Sequence, residues 1–181
     1  MLRTANTNID GLLLIYPEVY NDKRGYFQEL YNQHKYNEIG IKESFVQHNI
    51  SKSVKNTIRG LHFQKGENAQ GKLCQVLTGK VLDVCIDIRK ESATFKNIFK
   101  LIIAARDFVQ IWMPPGIAHG FSVLSDEAIF SYKCTKPYNH QSEGTILFND
   151  SDLNIDWMVE NPIVSGKDLM GISFNKFVNG L

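Results

Sequence analysis

Short apolar runs, each closed by a turn signal, recur along this chain and restrict the folds open to it. The punctuation is clear at Asn21-Asp22-Lys23-Arg24-Gly25, Lys65-Gly66-Glu67-Asn68 and Leu124-Ser125-Asp126-Glu127. Such spacing predicts an all-β sandwich or barrel rather than βαβ units. Residues 9–19 and 25–31 read as early strands. Residues 32–40 predict one short helix closed by Gly40. Residues 72–88 predict a hairpin around Thr78-Gly79-Lys80. Residues 98–105, 108–113, 120–124 and 128–134 add further strands, and a short helix is expected near Ser165.

Alternation along these strands already hints at a ligand. In residues 45–51, Gln47, Asn49 and Ser51 share a face. Polar side chains at that period do not suit a barrel interior unless something polar is bound there. Lys72 shares its face with Cys74 and Val76, and a lysine among apolar neighbours needs a partner that a bound anion would supply. On the second arm of the hairpin, Leu82, Val84, Ile86 and Ile88 face away from Asp83, Cys85 and Asp87.

The 181 residues suffice for one domain, 1–181, with a sizeable core. Twenty lysines and arginines stand against 19 acids, interspersed, for a net charge of +1. That balance speaks against a nucleic-acid footprint or a polybasic membrane patch. The apolar run from Leu12 to Tyr16 is too short for a secretory or membrane-spanning segment. Cys74, Cys85 and Cys134 are odd in number, lie in apolar strands and lack a CxxC pattern. They are expected to be reduced core residues of a cytoplasmic protein.

Two segments carry the candidate chemistry. Arg59-Gly60-Leu61-His62-Phe63-Gln64 sets a cation, a histidine and an amide in one strand, and Met113-Pro114-Pro115-Gly116-Ile117-Ala118-His119-Gly120-Phe121 places a second histidine behind a turn. Both are expected to wall one pocket. Arg59 and His62 are three apart, so strict alternation opposes them unless Gly60 allows a bulge or Arg59 precedes the regular strand. Tyr132 shares a face with Phe130 and Cys134, which fits either a core aromatic or an acid lining the pocket. Ser165-Gly166-Lys167-Asp168 fits a capping box, which gives Asp168 a structural use. His119 stands in a Pro-x-Gly-x-x-His pattern like that of metal-binding cupins, yet Gln64 follows His62 where a second ligand would be wanted, so a metal site looks half-built. A non-catalytic sugar-nucleotide binder is the remaining alternative; it would not need His62, Lys72 and Tyr132 in one pocket.

Taken together, Asp22-x-Arg24-Gly25-x-Phe27-x-Glu29, Gln47-x-Asn49-x-Ser51, Arg59 to Gln64, Gln70-Gly71-Lys72-Leu73, Pro114 to Phe121, Tyr132-Lys133, Tyr138, Glu143, Asn149-Asp150 and Lys167-Asp168 run in one order. This series resembles the RmlC-type nucleotide-sugar epimerases. The resemblance implies a cupin-type double-stranded β-helix, a jelly-roll barrel with short peripheral helices. It implies a homodimer that exchanges N-terminal strands, and no metal or other cofactor. The implied substrate is a nucleotide-diphosphate 4-keto sugar, dTDP- or GDP-linked, for surface polysaccharide or capsule. His62 would be the base, oriented by Asp168; Lys72 would stabilise the enolate and Tyr132 would return the proton. Arg24, Arg59 and Lys167 would hold the diphosphate or nucleotide. Phe27, Glu29, Gln47, Asn49, His119, Tyr138 and Glu143 would line the rest of the site. Departures from the usual pattern are the loop Lys65 to Asn68, Gln75 where an arginine is common, Ile117, and Pro137 before Tyr138. They bear on the substrate more than on the reaction.

Overall fold

A computed structural model describes residues 2–180. The N-terminal third contains β1 (Arg3–Asn6), β2 (Leu13–Tyr16), β3 (Val19–Asp22), β4 (Gly25–Gln28), α1 (Gln33–Glu38) and β5 (Gln47–Val54). The middle contains β6 (Thr57–Gln64), β7 (Lys72–Thr78), β8 (Lys80–Asp87), β9 (Ile98–Ala104), β10 (Gln110–Met113), β11 (Ile117–Val123) and β12 (Glu127–Cys134). The chain ends with β13 (Glu143–Thr145), β14 (Ile163–Val164), α2 (Gly166–Leu169) and α3 (Phe174–Asn179).

The strands form two facing sheets. One has the order β1-β2-β10-β7-β12-β5; the other has the order β13-β6-β11-β8-β9, with β14 added parallel to β6. Every other pairing in the two sheets is antiparallel, giving the all-β jelly-roll barrel expected. The expected first strand is broken: Pro17 separates β2 from β3, since proline cannot donate to a ladder. The β3–β4 pair forms a separate hairpin. The helix expected at 32–40 is shorter. The Asn32 side chain accepts the His34 N–H at its start, and Gly40 follows in the left-handed region at φ +91°.

Between the sheets, Val81, Cys85, Ile111, Phe121 and Phe130 pack together, and Phe121 stacks on Phe130 with ring centroids 4.5 Å apart. Each such side chain contributes roughly 1.5–3 kcal/mol by leaving water. The outer face of the second sheet is covered too. Leu82, Val84 and Ile86 meet Ile146, Trp157, Phe174 and Phe177 of the C-terminal segment. That double covering explains why Val81 to Asp87 of β8 is buried on both faces. Strand β5 is an edge strand with the opposite character. Gln47, Asn49, Ser51 and Ser53 turn inward, while Ile50 and Val54 are exposed.

Candidate active site

Register sets the inner wall. Across β5, β12 and β7, Gln47, Cys134 and Lys72 are cross-strand partners, as are Asn49, Tyr132 and Cys74. Directly opposed residues project from the same face of a sheet, so these form two inward rows. On the facing sheet His62, His119 and Cys85 are partners, and Arg59, Phe121 and Asp83 form the next row. One residue of β11, Gly120, therefore opposes two of β6, Gly60 and Leu61, between those rows, which is a bulge at Gly60. Gly60 has φ +135°, and a Cβ there would lie 2.4 Å from the Gly120 Cα. The bulge brings Arg59 and His62 to one ligand cavity, which strict alternation would forbid.

That cavity, about 260 Å³, is lined by His62, Lys72, Tyr132, His119, Arg59, Gln47, Asn49, Tyr138, Glu143 and Lys167 among the expected site residues. Each sheet supplies part of the wall. His62, Lys72 and Tyr132 therefore converge on one hollow, the arrangement a bare binding module would not require.

Asp168 stands behind His62. Its Oδ1 lies 2.6 Å from the His62 Nε2, and its Oδ2 accepts the Gly60 N–H at 3.3 Å. The Ser165 hydroxyl accepts the Asp168 N–H at 3.1 Å. The cap hydroxyl bond thus forms as the capping box requires, but the carboxylate points to His62 and Gly60. Burial pushes the Asp168 carboxyl upward; the hydrogen bonds from His62, Gly60 and Ser165 outweigh it, and the net shift is downward. Tyr132 is pushed up, chiefly by burial, so its phenol keeps its proton at neutral pH.

The mouth is laced by polar contacts. Lys167 Nζ donates to Glu143 Oε1, and the Tyr138 hydroxyl donates to Glu143 Oε2 at 2.8 Å. Burial raises the Glu143 carboxyl, but the Lys167 and Tyr138 hydrogen bonds dominate and lower it overall. The Gln47 carbonyl accepts the Tyr138 N–H at 2.7 Å, and the Gln47 amide donates to the Asn49 carbonyl. Arg59 Nε donates to Ser53 Oγ at 2.9 Å. A second hollow of about 500 Å³ adjoins the first and shares Arg59, His62 and Lys167 with it.

Three expected site residues lie elsewhere. Arg24 is exposed and paired with Asp22, and Phe27 is two-thirds exposed on the β3–β4 hairpin. Glu29 pairs with Lys35 near α1. None of the three lines the cavity of its own chain, because the hairpin leaves the barrel after Pro17.

One residue was missed by the sequence reading. Asp83, fully buried, accepts from the second histidine through Oδ2, 2.8 Å from His119 Nε2, and its Oδ1 is 3.5 Å from the Cys85 thiol. The signal was present: a carboxylate within an apolar strand demands a partner. The metal-cupin alternative gains no ligand from Gln64, which stands where one would be wanted, or from His48 on β5. Gln64 is tied to Asn68 and Asn139, and His48 faces outward to Ser131. Among the described residues, Asp83, Cys85 and His119 are the group whose donor atoms fall close enough to share an ion.

Comparison with known proteins settles the family. The sequence profile described as dTDP-4-dehydrorhamnose 3,5-epimerase matches residues 6–176. The chain belongs to the dTDP-4-dehydrorhamnose 3,5-epimerase family. A member of this epimerase family from Salmonella typhimurium is 49% identical over 170 residues, covering 93% of each chain. The crystal structure of the Elizabethkingia anophelis dTDP-4-dehydrorhamnose 3,5-epimerase aligns with TM-score 0.91 at 45% identity, covering 97% of both chains. That of the Legionella pneumophila dTDP-6-deoxy-D-glucose-3,5-epimerase, in complex with dTDP-4-keto-L-rhamnose, aligns with TM-score 0.92 at 43% identity, covering 97% of this chain and 94% of that one. The barrel is the cupin-type double-stranded β-helix of these epimerases, and the chain is an isomerase. No helix among the described residues is long and apolar enough to cross a membrane.

Proposed function

We propose that the chain inverts C3 and C5 of dTDP-4-dehydro-6-deoxyglucose. The convergence of His62, Lys72 and Tyr132 on one cavity carries this reading. Hydrogens at C3 and C5 are both alpha to the C4 ketone and therefore acidic. With Asp168 accepting the N–H at Nε2, the other ring nitrogen of His62 is free to take such a proton. The electron pair of the broken C–H bond moves onto the C4 oxygen. Lys72 meets that charge with a placed ammonium, and fixed charge at a forming oxyanion is usually the largest catalytic contribution. Tyr132, held protonated by burial, delivers a proton to the carbon from the opposite face. Water then returns a proton to Tyr132 and takes the one held by His62, and a second round at the other alpha carbon completes the double inversion. No carbon changes oxidation state, so the reaction calls for no redox cofactor.

The two adjoining hollows suit a two-part substrate. The sugar takes the barrel cavity, and the diphosphate runs out past Arg59 and Lys167. Arginine matches phosphate with a planar fork of donors. His119, Gln47 and Asn49 hold sugar hydroxyls, and Tyr138 and Glu143 frame the mouth. Arg24, Phe27 and Glu29 act from a second copy of the chain, whose exposed hairpin reaches this mouth in a homodimer. The single domain would work in the cytoplasm, making sugar for surface polysaccharide or capsule. The dTDP carrier is favoured over GDP by the names of the relatives, the Legionella complex among them.

Proton NMR in heavy water tests the reading, with dTDP- and GDP-linked 4-keto sugars in parallel. Deuterium is expected at C3 and C5 of the dTDP sugar. Label at one carbon only would reduce the activity to single-site epimerisation, and no label with either sugar would overturn it.

A further inference from the structure

Asp83, Cys85 and His119 form a chemical group that epimerisation uses only in part. Asp83 and Cys85 are two apart on β8 and share its inward face; His119 on β11 is the cross-strand partner of Cys85. One carboxylate oxygen, one sulfur and one imidazole nitrogen all lie within 4.8 Å of one another, and all three residues are buried. A mixed N, O, S set suits zinc and its thiophilic analogue cadmium. Bonds of about 2.0–2.3 Å to a tetrahedral ion place neighbouring donors roughly 3.3–3.8 Å apart. The Cys85 Sγ to Asp83 Oδ1 spacing of 3.5 Å already falls there; His119 Nε2 meets the other oxygen, Oδ2, at 2.8 Å, so the carboxylate turns for one oxygen to serve the ion. Of the three, His119 also lines the sugar cavity.

We propose that Asp83, Cys85 and His119 form an inhibitory binding site for a thiophilic divalent cation of the zinc class. Only the inhibition rests on the epimerase reading; the binding stands on the geometry alone. As the cation enters, the Cys85 S–H bond breaks, the electron pair stays on sulfur to bind the metal, and the proton passes to water. A bound cation draws His119 from the sugar and breaks its bond to Asp83.

Cadmium chloride titrated into the full chain tests this. Thiolate-to-cadmium charge-transfer absorbance in the ultraviolet should saturate at one ion per chain. It should persist in Cys134→Ser, whose sulfur also lines the cavity, and vanish in Cys85→Ser. In the deuterium-exchange assay, Cys85→Ser should keep its metal-free rate, while half-inhibition needs about 10- to 100-fold more cadmium. Cys85→Ala replaces the serine variant if the latter does not fold. An undiminished band in the Cys85 variants, or its loss in Cys134→Ser, would overturn the site. A chain that exchanges no sugar tested would remove the epimerase reading and leave the absorbance result to decide the site.

Discussion

Asp168→Asn is the most revealing single change, because it keeps shape and removes charge. The Asp168 Oδ1 and His62 Nε2 are 2.6 Å apart, a charge-assisted contact. A hydrogen bond to a charged group contributes about 1.5–3 kcal/mol, and each 1.4 kcal/mol is roughly tenfold in rate. Losing that support as positive charge builds on the imidazole should cost about 10- to 100-fold. An asparagine also presents its amide donor to the ring as readily as its carbonyl. That can place the ring proton on the nitrogen meant to act as base, and the corresponding change in a serine-protease triad costs about 10⁴-fold. Exchange at C3 and C5 should therefore fall by roughly 10² to 10⁴-fold. Binding of dTDP should change little, since Asp168 is buried and both its carboxylate oxygens are already engaged, by His62 and by the Gly60 N–H. Deuterium exchange by NMR reads the first quantity and calorimetric titration with dTDP the second. A thermal melt within a few degrees of the unaltered chain confirms that the barrel is intact. An exchange rate within threefold of the unaltered chain would refute the orienting role and leave Asp168 as a cap alone.

The remaining expectations concern the fold and the arm. Gly60→Ala drives a Cβ to 2.4 Å from the Gly120 backbone at a left-handed φ, and should destabilise the chain by roughly 2–6 kcal/mol in urea unfolding. Asp87 is fully buried; burial raises its carboxyl, but hydrogen bonds from Arg89, Ser92 and Thr94 pull it down to about 2. A depressed acid stabilises the folded state above its unfolded pKa. Roughly 2–3 kcal/mol is therefore present at neutral pH and lost as pH falls from about 4 towards 2. Melting curves across that range should show a steep acid limb, and Asp87→Asn should flatten it. Arg24→Ala and His62→Asn should each be inactive or nearly so alone, yet regain activity when their subunits are mixed, because one of the two shared sites then has both residues. A mixture as inactive as its components would rule out a site built across two copies.

Much of the barrel was legible because strand periodicity is a short-range property. The hairpin around Gly79, the inward face of β5 and the turn before His119 follow from residue type and a period of two. The polar run Gln47, Asn49 and Ser51 was informative for the same reason, since an inward polar face needs a ligand to satisfy it. Strand β2 could not be bounded so well. The apolar run continues to Val19, and only Pro17 within it reports that the ladder stops.

What the sequence hid is tertiary. A strict two-residue alternation separates Arg59 from His62, and only the close approach of Gly60 to Gly120 shows that β6 takes an extra residue there. Asp168 could be read as cap or as partner because the choice depends on where β6 passes 106 residues earlier, and the carboxylate turned to His62. Asp83 looked like one more alternating residue of β8 until β11 brought His119 across from its neighbour. Arg24, Phe27 and Glu29 fail to reach the cavity for a different reason. No local rule says whether a hairpin folds back on its own barrel or onto another. Pro17 ends the strand, Tyr26 and Phe27 stay about two-thirds exposed, and the edge strand β5 keeps Ile50 and Val54 in water. An exposed aromatic hairpin and an unpaired apolar edge on one chain are two costs that a single contact between copies would remove together, and that contact would set Arg24 beside a cavity whose own chain does not supply it.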